Sequence, residues 1–249
     1  MRKSTDGTWL VDQPADAAVA LDVLSVAGPS GLVGRMARFS DGADHACRRA
    51  QVEAVLPEVS GLRSAAAART GTPRGEFDLM PIALGVPVAV LAEALDVEDV
   101  AAAVRLTREL CESRSDEAFL ALAALLSDPA AVSVLFQAHD ATAALIAAAV
   151  LEGGVEQAVR SAPVHRTQRR TVEDTVLGGV VLPAGSALWV SLAETGTFGA
   201  GRHACPGSAL ATALAHGVLD ALGEVSVVAV EYESRPNMRL PARLIVRTR

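Results

Sequence analysis

Between positions 198 and 207 the chain reads Phe198-Gly199-Ala200-Gly201-Arg202-His203-Ala204-Cys205-Pro206-Gly207, and this run constrains everything built around it. Glycine at 199, 201 and 207 lets the backbone turn tightly and approach a neighbour closely, because no Cβ penalises the required dihedrals. Pro206 suits the first position of a helix, where its missing N–H costs nothing, and an apolar helix is predicted through Ser208–Leu214. Cys205 then stands at the positive end of that helix, where the macrodipole favours an anionic sulfur. A deprotonated, water-shielded thiolate with backbone N–H groups close by is a metal ligand. A Gly-rich turn with an inert buried cysteine is the plain alternative. It leaves Phe198, His203 and the glycines together without a reason.

Position by position, the run resembles the haem-binding loop of the cytochrome P-450 family, F-G-x-G-x-H-x-C-x-G. The resemblance implies that Cys205 is the axial ligand of haem b (iron protoporphyrin IX), held in a loop of Phe198, Gly199, Gly201, His203 and Gly207. It extends along nearly the whole chain. His45-Ala46-Cys47-Arg48-Arg49 is similar to the family's H-x-x-x-R helix, whose His and Arg, one turn apart, clamp a haem propionate. By itself such a pair is also what a solvated helix face carries. Pro163 to Arg170 resembles the stretch whose arginine meets a propionate, and Arg169 occupies that place; Arg48, Arg166 and Arg170 are expected to be solvated. His203 is implied as a further propionate donor.

The long segment containing Gln137-Ala138-His139-Asp140-Ala141-Thr142 resembles the family's oxygen-binding helix, A-G-x-[DE]-T-T. Asp140 and Thr142 are implied as the catalytic acid and alcohol. The usual groove glycine is replaced by Ala138 and the usual first alcohol by Ala141, which interrupts a proton relay unless Thr142 or a water substitutes. Asp140 reads equally as a structural partner of His139 or Arg169. Val155-Glu156-Gln157-Ala158-Val159-Arg160 is similar to the E-x-x-R helix, with Gln157 in the glutamate's place and Glu156 about 100° away around the helix.

Aliphatic residues dominate: 51% of the chain is hydrophobic but only 3% aromatic, so a large core must be built from Ala, Val and Leu. Helices are expected over 15–26, 41–63, from about 80 to Leu95, over 97–112 and 116–126, from the cap at Asp128-Pro129 to Leu151, and over 155–160. Strands are expected at 9–11, 164–172, 175–177, 180–182, 187–192, 225–230 and 240–246. The fold class is therefore mainly α with a smaller β part; the resemblance implies a truncated cytochrome P-450-like fold, with residues 1–249 as one domain. Net charge is −7, which argues against a nucleic-acid surface. The longest apolar run, from Ala141 to Leu151, falls short of a membrane span. The N-terminus lacks the apolar core of a secretion signal. Three cysteines without a CxxC pair suit a reducing cytoplasm, and Cys47 and Cys111 read as small core residues.

The resemblance implies an oxidoreductase, monooxygenase-like or peroxide-using, that acts on a small-molecule substrate with a redox partner in specialised metabolism. Only two helices stand between Leu95 and Ser127, where the family has several, so the pocket roof is shortened. A homodimer or a partner protein is expected to cover it. The alternative reading is a non-catalytic helper protein that binds and stabilises a partner enzyme.

Overall fold

The computed structural model describes residues 1–248. In chain order, strands β1 (Arg2–Lys3) and β2 (Trp9–Val11) lead to helix α1 (Pro14–Val23) and strand β3 (Ser25–Val26). Two short 3-10 turns carry the chain to α2 (Gly42–Ala54) and α3 (Leu62–Thr70), followed by β4 (Glu76–Asp78), α4 (Met80–Ala94), α5 (Val100–Ser113) and α6 (Asp116–Ala123). The central α7 (Ala131–Glu152) and short α8 (Val155–Ser161) precede β5 (Arg166–Arg170), β6 (Thr175–Leu177), β7 (Val180–Leu182) and β8 (Ala187–Ser191). After the cysteine loop come α9 (Ser208–Leu222), β9 (Val225–Tyr232) and β10 (Pro241–Thr248). The mainly α class with a smaller β part is what forms.

Helix α7 is the axis. From Ala143 to Ala149 every side chain is buried, so the helix is apolar all round rather than amphipathic, as a helix inside a core must be. It is long and apolar enough to cross a membrane by length and composition, but 67% of its most apolar window is buried inside the fold. Its alanines let α4, α5, α8 and α9 approach closely, and these helices form the main core with Leu91, Leu110, Leu145, Ile146 and Leu214. A second, smaller core under α1 joins Val11, Ala20, Leu182, Leu188 and Val190.

A five-stranded sheet in the order β1-β2-β8-β5-β3 backs one side. Strand β8 pairs parallel with β2 and antiparallel with β5, placing Arg169 opposite Leu188. A three-stranded sheet, β4-β10-β9, lies at the other end. The loop between β9 and β10 folds back on the entry to β5: His165 N–H and Arg166 N–H both donate to the Asn237 carbonyl at 3.0 and 3.2 Å.

Several boundaries differ from the sequence expectation. The stretch 41–63 is two elements, because Pro57 follows α2 and Gly61, at φ 88°, precedes α3. Helix α1 stops at Val23 because Val26 pairs with Arg169 in the sheet. Pro129 precedes α7 rather than opening it; Asp128 Oδ1 accepts the Ala130 N–H at 2.7 Å in the turn before. Pro206 likewise lies in a turn, and α9 begins at Ser208. Cys47 is exposed, not a core residue, whereas half-buried Cys111 donates its thiol to the Phe136 carbonyl at 3.6 Å.

Helices α3 and α9 cross at their closest point at Gly217, where a Cβ would stand 2.2 Å from the Arg63 carbonyl oxygen and 2.7 Å from Ala66 Cβ. Backbone cannot yield there as a flexible side chain would. Gly217→Ala is expected to cost about 1–3 kcal/mol through overpacking, read as a lower urea midpoint; an unchanged midpoint would mean the crossing relaxes freely.

Candidate active site

The loop from 198 to 207 is closed by its own backbone. Gly199 N–H donates to Gly196, Ala204 N–H to Gly201, and Cys205 N–H to the Phe198 carbonyl at 2.8 Å. Gly199 and Gly201 take φ of 65° and 69°, the left-handed region that a side chain enters only at a cost. Gly207 is different. Its φ is −95°, and the nearest atom to a Cβ there would be Leu210 Cδ1 at 3.7 Å. Neither dihedral nor packing within the chain demands glycine at 207.

Cys205, Phe198, Gly199 and Gly207 line one cavity, together with Ala138 and Thr142 of α7. The non-atom space in it, including its open mouth, is about 1560 Å³. His45, Arg49, Arg169 and His203 line the same cavity, so the structure brings together from α2, β5 and the loop the four residues expected to serve propionates.

Their electrostatics are set by burial. The rings of His45 and His203 lie 4.1 Å apart, tilted at 47°. Burial, then the charge of His45 and neighbouring arginines, push His203 down to about 4, and burial followed by Arg49 lowers His45. His203 is therefore neutral at pH 7 and acts as an N–H donor rather than a charge. Arg169 is 4% exposed; burial pushes its guanidinium down to about 10, so it stays cationic at neutral pH. It donates to Thr167 Oγ1 and the Gln168 carbonyl, but Arg169 Nε, His203 Nε2 and Asp41 Oδ1 are buried without hydrogen-bond partners. The His203 Nε2–Asp41 Oδ1 separation, 3.6 Å, is too long for a hydrogen bond. Arg49 is committed to Glu53 at 2.5 Å and to the Ala204 carbonyl at 2.6 Å, which ties α2 to the cysteine loop.

These observations fit a haem. Orphaned buried N–H groups want carboxylate acceptors, an uncompensated guanidinium wants an anion, and a glycine that nothing in the chain requires faces an open cavity. Within the chain alone, however, the thiol is not activated. Cys205 is exposed to the cavity rather than shielded by the chain, and desolvation by the surrounding protein raises its thiol above the ordinary value against the opposing Gly207 N–H, Arg49 and Arg38. The expected helix-terminus effect is weak because Cys205 stands three residues ahead of α9; a coordinating metal deprotonates a thiol outright.

Asp140 and Thr142 do not meet. Two residues apart on α7, they point about 200° apart around the axis. Thr142 is buried on the cysteine cavity. Asp140 borders an adjoining chamber, where His139 Nδ1 contacts Oδ1 at 2.8 Å and Arg235 donates to Oδ2 at 2.7 Å. Burial works to raise its carboxyl, but the His139 hydrogen bond and the charges of His139 and Arg235 outweigh it and hold the carboxyl below its ordinary value. Its partners are thus His139 and Arg235, not Arg169. In α8, Arg160 donates to Gln157 Oε1 while Glu156 pairs with His216 at 3.1 Å. Arg166 is half-buried against Asp12 at 2.9 Å rather than solvated.

Sequence reasoning passed over Arg38, Asp41 and Arg235. Arg235 had a signal, the Arg235-Pro236-Asn237 turn, but nothing in it points to α7. Arg38 and Asp41 had none, since they flank the irregular segment before α2.

No family model matches the chain, and no curated protein sequence matches it. Solved structures do. The cytochrome P-450 CYP109Q5 from Chondromyces apiculatus superposes with a TM-score of 0.78 at 19% identity, over 99% of this chain and 91% of that one. The cytochrome P-450 CYP109B1 from Bacillus subtilis gives 0.75 at 18%, over 99% and 95%. CalO2 gives 0.76 at 18%, over 100% and 92%. The fold is the cytochrome P-450 fold.

Because the folded value of Asp140 lies below its ordinary one, its pairing stabilises the protein fully above the ordinary carboxylate range. That contribution is lost as pH falls through the lower folded value. Asp140→Asn should therefore be less stable than wild type by about 1–3 kcal/mol at neutral pH. The gap should close on acidification towards about pH 3. Urea unfolding at the two pH values checks it; a gap independent of pH would assign the loss to packing alone.

Proposed function

We propose that this chain, which carries the cytochrome P-450 fold in 249 residues, is a single-domain haem-thiolate oxidoreductase acting on a small organic substrate. The observation that supports it most is the cavity itself. Cys205 lines it together with Thr142 and Ala138 of α7, and Arg169 and His203, which carry unpaired buried nitrogens, line it too. Cys205 would ligate the iron of haem b; Arg169, His203, His45 and Arg49 would hold the propionates, Arg169 as the cation and the histidines as neutral donors. Phe198, Gly199, Gly201 and Gly207 keep the loop tight and the face beside the sulfur unobstructed. When bound, the haem supplies oxidation of a substrate placed on the α7 side, with electrons from a redox partner or with peroxide as oxidant.

The chain's own contribution on that side is limited. Ala141 offers no hydroxyl, the Thr142 hydroxyl has no hydrogen-bond partner among the described residues, and Asp140 is held in ion pairs in the next chamber. Thr142 is the group placed to hold a water or orient a substrate oxygen. This arrangement suits peroxide use, or reaction at a substrate N–O or N–N function, better than a dioxygen-dependent proton relay. An oxidative tailoring step in specialised metabolism, in the cytoplasm, is the role proposed. The helper-protein alternative draws on the same sequestered Asp140 and on Gln157. It gives no reason for a closed loop that presents Cys205 to a cavity.

The test is the absorption spectrum of the purified protein, ferric and then dithionite-reduced under carbon monoxide. The red-shifted Soret band of a thiolate–iron–carbonyl complex is expected. Protein that takes up no added haem would overturn the proposal in favour of the helper. Cys205→Ala should remove that band while far-UV circular dichroism stays unchanged; a band that persists would dismiss Cys205 as ligand. Arg169→Gln should release haem during gel filtration that wild type retains, with its secondary structure intact.

A further inference from the structure

A second chamber adjoins the cysteine cavity; Arg38, Gln137, Ala141, Arg169 and Met238 border both. Its own lining is cationic. Arg38, Arg114, Arg166, Arg169 and Arg235 surround it, with Asp140 as its one acidic side chain. Two of the arginines are neutralised, Arg166 by Asp12 at 2.9 Å and Arg235 by Asp140 at 2.7 Å. Arg169 is accounted for by the propionates. Arg38 and Arg114 make no ion pair and no side-chain hydrogen bond to any described residue; the one contact of Arg38 is with the ring of Phe39, 4.9 Å from its centroid.

This is unexpected in a chain with 29 acidic residues against 22 lysines and arginines, where carboxylate partners are abundant. Arg38 is exposed, and the space it is exposed to includes both cavities, which it lines. Burial and then the charge of Arg114 hold its guanidinium below the ordinary value, so two like charges share the wall of one chamber. Arg114 occupies the left-handed position that ends α5, at φ 54°, where glycine is the inexpensive residue. Guanidinium groups gathered in this way match a carboxylate in bidentate geometry. The rest of the wall is mixed: Phe39, Phe136, Trp189 and Met238 are apolar, beside the polar Gln137, Thr167, Gln168 and Asn237.

We propose that this chamber binds the carboxylate of an organic-acid substrate, with Arg38 and Arg114 receiving the anion and Phe39, Phe136 and Met238 packing its apolar body. That the acid is a substrate rests on the haem-thiolate reading; the preference for an anion rests on the chamber alone. The shared border at Ala141 and Gln137 lets an acid anchored there extend its other end towards the cysteine cavity.

Phenylacetate and its neutral counterpart phenylacetamide test this by calorimetric titration of haem-loaded protein whose carbonyl spectrum has been recorded. Wild type is expected to bind the acid about tenfold more tightly than the amide. Arg38→Gln and Arg114→Gln should each reduce the ratio and together abolish it, with haem content and circular dichroism unchanged. Equal or absent binding of both compounds, in protein with a normal carbonyl spectrum, overturns the carboxylate assignment and leaves the haem reading standing. A preference for the acid without any haem uptake overturns the haem reading and with it the role as substrate. Haem loss in Arg38→Gln, with an undiminished ratio in Arg114→Gln, assigns Arg38 to the propionates and overturns the proposal.

Discussion

An apolar helix buried on every side sets the terms for the rest of the molecule. From Ala143 to Ala149, α7 has no solvent face, so helices must surround it, and its small side chains decide how near they come. With only 3% aromatic residues, the chain fills its core by close backbone approach rather than by bulk; the α3–α9 crossing at Gly217 follows the same rule. One side of α7 is left uncovered between Ser133 and Leu145, and the cavity opens there. The site is what remains when the core has taken the rest of the helix.

Burial, more than pairing, governs the charges around that cavity. It keeps His203 neutral, lowers Arg169 without discharging it, and holds the Cys205 thiol up. A neutral His pair beside a single buried guanidinium carries less repulsion than four cations would, while still presenting N–H donors. Arg49 is spent on Glu53 and the Ala204 carbonyl, so its first service is mechanical: it fixes the distance between α2 and the cysteine loop.

The parts of this arrangement legible in the sequence are those fixed by local chemistry. The cysteine loop has dihedral demands at Gly199 and Gly201 that announce a turn, the β6–β7 hairpin is bounded by Gly178-Gly179, and α7 ends at Gly153 in the left-handed conformation. What escaped was a local break outweighed by the surrounding pattern, or a contact made by a distant segment or an irregular stretch. The break before α3 needed the weight of Pro57 against a continuous helical pattern. The partner of Asp140 arrives from the β9–β10 loop, 95 residues away. Arg38 sits in an irregular stretch with no periodicity to place it.

The separation of Asp140 from Thr142 follows from helix geometry once Ala141 stands where a hydroxyl would have served. An acid and an alcohol on consecutive residues can share one face of a helix groove; moved two residues apart, they lie on opposite sides. The carboxylate must then be satisfied elsewhere, since a buried charge left unpaired is expensive, and His139 and Arg235 satisfy it. A carboxylate held by two donors below its ordinary value is a poor proton carrier near neutrality. The same ion pair leaves Arg38 and Arg114 as the unmatched charges of the second chamber. The separation of Asp140 from Thr142 and the unmatched arginines of the second chamber thus both trace to where one carboxylate stands on α7.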